Sequence, residues 1–271
     1  MIVARQSNLR YTLCYGLPLS GAGVRSVFPL LPSFLRACAV AKFSTRNRVL
    51  LNLTPADLRL FEPHLERVEI PLRYAIETPN KPISHVYFVE NGIVSLTTMG
   101  PKRLPIEVAV VGFEGFTGVC VALGGDRSPL DTYVQVAGEA HRLETGALQA
   151  LIAKNPAMAG VLNRYNQVLL TQIAQTALAN GRAMLEERLA RWLLMGQDRM
   201  QSDELTLTHE FLALMLAVRR PGVTNAMAAL KKKGHVEARR GRIVILNRNG
   251  LIKVAGKFYG VPEAELERLL G

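Results

Sequence analysis

The spacing of apolar side chains divides the chain into an irregular N-terminal stretch, a strand-like middle and a helical C-terminal half. Order is predicted to begin at Thr54, an N-cap residue followed by proline at the first helical position. Short runs of β-strand character come next, at residues 68–72, 83–89, 93–97, 106–111, 133–136 and 140–143. Runs this short are typical of a small antiparallel barrel or roll, which can enclose a small ligand.

One turn within this middle segment has a clear sequence signal. Glu90, Asn91 and Gly92 separate two of the strand-like runs. Asparagine and glycine tolerate the positive φ angles of tight turns. The sequence therefore predicts a β-hairpin at this point.

After the strand-like middle the period becomes helical. Residues 145–153 are predicted to form a short helix, and Pro156 starts a longer one that ends near residue 180. The apolar positions of the long helix are Met158, Val161, Leu162, Tyr165, Val168, Leu169, Ile173 and Ala177. This stripe is wider than one partner needs, so we expect the helix to pack on the roll along one edge and on a second copy along the other. Asn180 and Gly181 are predicted to form a hinge.

The segment 207–234 has the pattern of two short helices joined by a tight turn. Thr208 is a suitable N-cap for the first helix, and proline at 221 marks the start of the second. The apolar positions Val223, Met227 and Leu230 share one face of the second helix. Thr224, Asn225, Ala228 and Lys232 point away from that face, which leaves an outer surface without acids.

Alternating residues after Gly234 predict a two-stranded hairpin, with Arg239, Arg240 and Arg242 at its tip. From 218 to 253 there are ten basic residues and one acid, a net charge of +9. Neutralisation of phosphates supplies most non-specific affinity for DNA. A solvated basic surface is the alternative, but the two-helix pattern together with this charge favours DNA binding.

Composition and charge limit the remaining possibilities. With 271 residues, 49% of them hydrophobic, the chain is long enough for two domains. Residues 1–48 contain seven basic side chains, no acid and no sustained period. We interpret this stretch as a poorly ordered extension, with a transit peptide as the less favoured interpretation.

The cysteines and apolar runs point to a reducing compartment. Cys14, Cys38 and Cys120 are too few and too scattered for a disulfide framework. An iron–sulfur cluster would need four such ligands. No uninterrupted run of 18 apolar residues occurs, so a membrane span is not expected and the cytoplasm is the predicted location.

Taken together, these segments resemble the Crp/Fnr family of bacterial transcription regulators over roughly residues 50–250. The resemblance rests on HVYF and NG at 85–92, ERLARWL at 187–193, and LTHEFLALMLAVRRPGVTNAMAALKKKG at 207–234. It implies an α+β fold: an antiparallel β-roll of the double-stranded β-helix, cyclic-nucleotide-binding type, a long dimerisation helix and a winged helix-turn-helix. By position it also implies contacts with bases or phosphates, and the residues expected to contact DNA are Arg219, Arg220, Thr224, Asn225, Lys232, Arg240 and Arg242. Arg220 is expected to pair with guanine.

The effector is less well defined by the resemblance. Members of the family that bind cyclic AMP use a glutamate for the ribose and an arginine for the phosphate. Alignment on Gly115 and Gly118 places Val119 at the glutamate, and Arg127 and Ser128 lie three residues early. We therefore expect no cyclic AMP binding, although a different loop course could bring Arg127 back to the pocket. No cofactor or metal is predicted.

The sequence thus predicts a homodimeric, non-enzymatic transcription regulator that binds a pseudo-palindromic operator in double-stranded DNA, with RNA polymerase as a further partner. The predicted parts are a disordered extension (1–48), a sensor roll (49–155), a dimerisation helix (156–180), a DNA-binding domain (181–255) and a C-terminal tail (256–271). The competing hypothesis is a barrel-type ligand-binding protein or enzyme whose basic tail binds nucleic acid incidentally. A two-fold symmetric binding site would separate the regulator from this alternative.

Overall fold

A computed structural model describes residues 43–100, 105–239 and 241–271. Its N-terminal part is the predicted roll, built from antiparallel strands in the order β1-β5-β3-β4, with β2 also paired to β5. The strands are β1 (Glu66–Ile70), β2 (Ala75–Glu77), β3 (His85–Met99), β4 (Pro105–Val111) and β5 (Asp131–Glu144). The expected mixed α+β architecture is confirmed.

The hairpin predicted at Asn91 and Gly92 is wrong. β3 continues through both residues and pairs with β5 on either side of them. Gly92 does have a positive φ of 89°, but it accommodates a shift of register within one long strand. The Asn91 side chain accepts a hydrogen bond from the Glu139 backbone N–H at 3.0 Å, which fixes this bulge to β5.

Short helices complete the roll. They are α1 (Arg48–Leu51), α2 (Pro55–Phe61), α3 (Val119–Ala122) and α4 (Thr145–Lys154). Thr54 caps α2 as predicted, since its side chain accepts the Asp57 N–H at 3.1 Å. The buried aromatic residues Phe61, Phe88 and Phe116 pack in a core that also includes Tyr165 of the next helix.

The long helix α5 (Pro156–Arg182) begins where the sequence predicts and packs Tyr165 and its neighbours against the roll. It does not break at Asn180 and Gly181 but continues to Arg182. The break lies at Ala183 and Met184, both in extended conformation. The Met184 N–H donates to the Glu187 carboxylate at 2.6 Å, so the start of the next helix is held by a local cap.

The C-terminal domain, here called the head, comprises residues 185–255. Its elements are α6 (Leu185–Met200), β6 (Glu204–Leu205), α7 (His209–Met215), α8 (Arg220–Lys232), β7 (Val236–Arg239), β8 (Arg242–Ile245) and α9 (Arg248–Ala255). The three strands form a small sheet in the order β6-β8-β7. Trp192 of α6, Leu212 of α7 and Val223 of α8 lie in one buried cluster, so the head has its own core.

The segment 256–271 contains a helix, α10 (Val261–Leu270), which packs on α5. Leu270 is 2% exposed and belongs to the core of the roll. Its carbonyl oxygen accepts hydrogen bonds from Arg48 and Asn52 at the other end of the described chain. The chain therefore returns to the roll after completing the head.

The head also contacts the roll directly. Met195 of α6 is buried with Ile93 and Val110 of the sheet. Trp192 Nε1 donates to the buried Glu107 carboxylate of β4 at 2.7 Å. None of the helices in the described ranges has the length and apolar character needed to cross a bilayer.

Candidate nucleic-acid interface

The two helices predicted at 207–234 are present as α7 and α8. Thr208 caps α7 by accepting the Phe211 N–H at 3.2 Å, and Leu212 faces the core. Between the helices Ala217 adopts a left-handed conformation with φ 50°. The Val218 N–H donates back to the Ala213 carbonyl at 2.9 Å, so the connection is as tight as the sequence predicts.

Burial on α8 follows the predicted pattern. Val223, Met227 and Leu230 are buried in the head. Thr224, Asn225, Ala228 and Lys232 are exposed. Thr224, Ala228 and Lys232 recur every four residues and lie on one face, while Asn225 lies toward a groove whose walls include α6. The outward face of α8 has the shape and composition of a surface that can enter a DNA groove.

The first turn of α8 is held by α7. Arg220 Nε lies 2.9 Å from the Glu210 carboxylate, and both side chains are largely exposed. The Thr224 hydroxyl and His209 Nδ1 are 3.1 Å apart. An exposed ion pair is worth at most about 1 kcal/mol, so Arg220 can exchange Glu210 for a base or phosphate at little cost.

The three lysines at the end of α8 differ in their surroundings. Lys231 and Lys232 are exposed, whereas Lys233 forms an ion pair with Glu186 of α6 at 2.6 Å. At the opposite end Arg219 is exposed at the N-cap position. Positive charge thus lies at both ends of the outward face of α8, and exposed basic groups of this kind can contact phosphates.

The predicted hairpin is present as β7 and β8, which pair antiparallel from Val236 with Ile245 to Arg239 with Arg242. Arg242 lies 2.9 Å from Glu204 of β6, a strand too short for a period-two pattern to reveal. Arg240, expected at the tip, lies outside the described residues. The described part of the hairpin therefore supplies basic groups that are partly neutralised by neighbouring acids.

The residues expected in an effector pocket do not share one site: the two glycines make contacts with distant residues, whereas Arg127 and Ser128 bond to their own chain neighbours. Gly115 lies under α5, where a Cβ atom would overlap the Tyr165 ring. The Gly118 N–H donates to the Glu77 carboxylate at 2.6 Å. Arg127 pairs with its neighbour Asp126 at 2.8 Å and is half exposed. The Ser128 hydroxyl accepts the Leu130 N–H at 3.1 Å.

Glu77 has a buried position in the roll that its sequence context does not reveal. It is buried beneath Gly118, and this burial raises its pKa even though the Gly118 N–H favours the charged form. Its carboxylate accepts from the backbone at the start of α3. A strand residue 41 positions away has no local signal for this role, because only the folded roll brings it to Gly118.

His141 is the buried histidine of the roll. No group of three or more histidine, cysteine or acidic side chains suited to a metal ion occurs among the described residues. His141 is instead buried beside Glu90, with 3.4 Å between Nε2 and the carboxylate. Desolvation is the largest influence on the pKa of His141 and lowers it, although Glu90 acts in the opposite direction.

Comparison with known proteins gives the context of this geometry. Residues 187–254 match the family model of the Crp-like helix-turn-helix domain. A search of curated protein sequences found no significant match.

Solved structures of similar fold cover most of the chain. FixK2 from Bradyrhizobium japonicum aligns with a TM-score of 0.62 and 18% identity over 71% of this chain and 98% of that one. The c-di-GMP responsive global regulator CLP from Xanthomonas campestris has a TM-score of 0.59 and 17% identity, over 71% and 99%. A protein of Eubacterium rectale ATCC 33656, described as a transcriptional regulator of the Crp/Fnr family, has a TM-score of 0.59 and 16% identity, over 76% and 97%.

At these identities the structures show a shared fold, and the family model assigns the head. The chain therefore joins a Crp-like helix-turn-helix domain to the fold of the Crp/Fnr regulators, and it is a DNA-binding transcription regulator.

Proposed function

We propose that the protein acts as a homodimer on a pseudo-palindromic operator and that it has no catalytic role. The observation that carries the proposal is the acid-free outer face of α8, with Thr224 and Lys232 exposed beside Arg219 and Arg220. Two such helices, one turn of DNA or about 34 Å apart, would read two half-sites. We further propose that the protein contacts RNA polymerase and acts in the cytoplasm.

The dimer would form through α5. Six of its exposed residues recur with spacings of 4, 3, 4, 3 and 4, at Asn163, Gln167, Leu170, Ala174, Ala177 and Gly181. This is the heptad spacing of a coiled-coil seam, and the small residues at its C-terminal end allow close approach. Leu170 is 66% exposed, an uncovered apolar side chain at the centre of the stripe. We infer that a second copy of α5 covers it.

Substitution of Leu170 tests the dimer. Leu170→Glu would place like charges opposite each other in the seam, so sedimentation should show a monomer. Leu123→Glu is the matched control, because Leu123 is also 66% exposed but lies after α3 in the roll. Equal effects of the two substitutions would contradict the proposed interface.

For the operator, we infer that Arg220 contacts a guanine and that Arg219, Lys232, Arg240 and Arg242 contact phosphates. Thr224 and Asn225 complete the expected set, with Asn225 at the edge of the outer face of α8. Selection from random duplexes should return a two-fold symmetric consensus. Uniform, salt-sensitive binding to all duplexes would instead favour a ligand-binding protein with incidental nucleic-acid affinity.

The roll is proposed to sense something other than cyclic AMP. Glu77 already accepts the Gly118 N–H at 2.6 Å, so this backbone donor is occupied by a carboxyl group. A phosphate bound at the same N–H would have to displace Glu77, and an ionised Glu77 would repel it. Calorimetric titration with cyclic AMP should therefore show no saturable heat, whereas micromolar binding would refute this part of the proposal.

A further inference from the structure

A cavity of about 490 Å³ lies where the roll, α5, the head and α10 meet. The residues that line it include Phe113 of the roll, Tyr165 and Val168 of α5, Arg199 of α6, Arg248 of α9 and Leu266 of α10. Pockets of about 300 to 1,000 Å³ are the usual size for small organic ligands. Gly118, Arg127 and Ser128 are not among the lining residues, so the cavity is separate from the pocket expected inside the roll.

The guanidinium groups at the cavity are neutralised by acids that also line it. Arg199 lies 2.8 Å from the buried Glu114, and Arg248 lies 2.7 Å from Asp198. A third pair joins Arg48 and Glu267 at 2.6 Å. A phosphate or carboxylate would have to displace one of these partners. Glu263 also lines the cavity, and its carboxylate accepts the Gly260 N–H at 3.0 Å. The charge arrangement therefore disfavours an anionic ligand.

The rest of the wall is mainly carbon. Phe113, Tyr165, Val168 and Leu266 contribute rings and aliphatic side chains. Ligand sites lined mainly by apolar and aromatic side chains accommodate the apolar body of a small organic molecule.

We propose that this cavity is an effector site for a small uncharged organic molecule with an apolar, ring-containing body. Because roll, α5, α6 and α10 each contribute to the wall, a ligand that fits it changes the preferred position of the head on the roll. The inference rests on the proposed function, because the ligand would be the signal to which a DNA-binding dimer responds.

Binding is tested with prodan, an uncharged naphthalene ketone whose fluorescence shifts to the blue in apolar surroundings. The full chain should bind it saturably. A sulfonated naphthalene probe of similar size should bind at least about tenfold more weakly, because the paired acids remain in place. Equal or tighter binding of the sulfonate would overturn the uncharged class of ligand.

Two cavity-filling variants locate the probe. Ala264→Phe on α10 and Val168→Phe on α5 should each weaken prodan binding by about tenfold or more, because the added ring occupies the space. Val261→Phe is the matched control, since Val261 is 46% exposed on α10 and does not line the cavity. Thermal unfolding shows which variants are folded, and two variants on different helices guard against the failure of one.

The effector role is read from operator affinity. Ala264→Phe imitates an occupied cavity, so the operator affinity should change by about fivefold or more, while Val261→Phe leaves it unchanged. No saturable prodan binding, or equal loss in the control, would overturn the site. Saturable binding without any effect on operator affinity would overturn its role as an effector site. If the wild-type chain selects no symmetric DNA, the proposed function fails, and the prodan result stands separately.

Discussion

Glu107 is the buried carboxylate through which the head contacts the roll. It accepts hydrogen bonds from Ser95 of β3 at 2.6 Å and from Trp192 of α6 at 2.7 Å. Desolvation dominates its titration and raises the pKa to about 7, although these donors and Arg199 favour the charged form. When the head packs on the roll, Glu107 must therefore either take up a proton or remain ionised at the energetic cost of burying its charge.

The size of the effect follows from linkage. The folded pKa of about 7 exceeds the ordinary value of 4.5, so the folded state binds the proton more tightly. The contribution of Glu107 protonation to the free energy of unfolding is fully present below pH 4.5 and falls as the pH rises toward 7. Above pH 7 it is lost, and the free energy of unfolding no longer changes because of this group. At about 1.4 kcal/mol per pKa unit, the loss over this window is of order 3 kcal/mol.

Glu107→Gln removes this dependence. The carboxamide oxygen can still accept the Trp192 Nε1–H, and its NH₂ can donate to the Ser95 hydroxyl. We expect the variant to resemble the wild type near pH 4.5 and to be more stable by up to about 3 kcal/mol at pH 8. Urea unfolding followed by tryptophan fluorescence measures the difference directly, because Trp192 is the single tryptophan and contacts Glu107.

An exposed carboxylate provides the comparison. The Arg67 guanidinium lowers the pKa of Glu139, so that group contributes stability above its unfolded pKa and loses it on acidification. Glu139→Gln should therefore change the pH profile in the opposite direction. A constant free-energy difference between the Glu107→Gln variant and wild type from pH 4.5 to 8 would refute the reasoning about Glu107.

Single substitutions can test the exposed face of α8 and the core of the roll. Arg220→Ala should reduce the preference for one base at one position of each half-site by about 1 to 3 kcal/mol. Lys232→Ala should instead weaken binding to all duplexes alike and lower the slope of log affinity against log salt concentration by about 1. Equal effects of the two substitutions in quantitative binding assays would contradict the assigned face of α8. Gly115→Ala should destabilise the fold by about 1 to 3 kcal/mol in urea unfolding, because the methyl group overlaps Tyr165. Asn47→Ala should cost about 3 kcal/mol or more, since the buried amide satisfies two carbonyls and two N–H groups; a loss below about 1 kcal/mol would argue against that network.

The elements that sequence reasoning predicted well are those defined by local signals. Thr208 and Pro221 mark helix starts through bonds made or lost within one turn. The buried stripe of Val223, Met227 and Leu230 follows from helical geometry alone. These features hold in the structure because nothing elsewhere in the chain is needed to specify them.

The incorrect and missing elements depend on contacts between distant residues. Asn91 and Gly92 carry the composition of a hairpin turn, but pairing with β5 on both sides keeps the strand continuous. Gln172 interrupts the apolar stripe of α5, and the structure shows the reason: its side chain bonds both the N–H and the carbonyl of Val110 in β4. A buried amide of this kind fixes the register of α5 on the roll.

Regulation is harder to derive from a sequence than DNA binding. The outer face of α8 belongs to a single amphipathic helix, so its exposed residues can be predicted from the helical period over a few turns of sequence. The contacts that the head and α10 make with the roll instead involve Glu107 of β4, Trp192 of α6 and Leu270 of α10. These side chains lie far apart in sequence and acquire a common role only after the chain has returned to the roll. A substitution at the head–roll contact should therefore alter the response to a signal while leaving base preference unchanged, whereas a substitution on α8 should do the reverse.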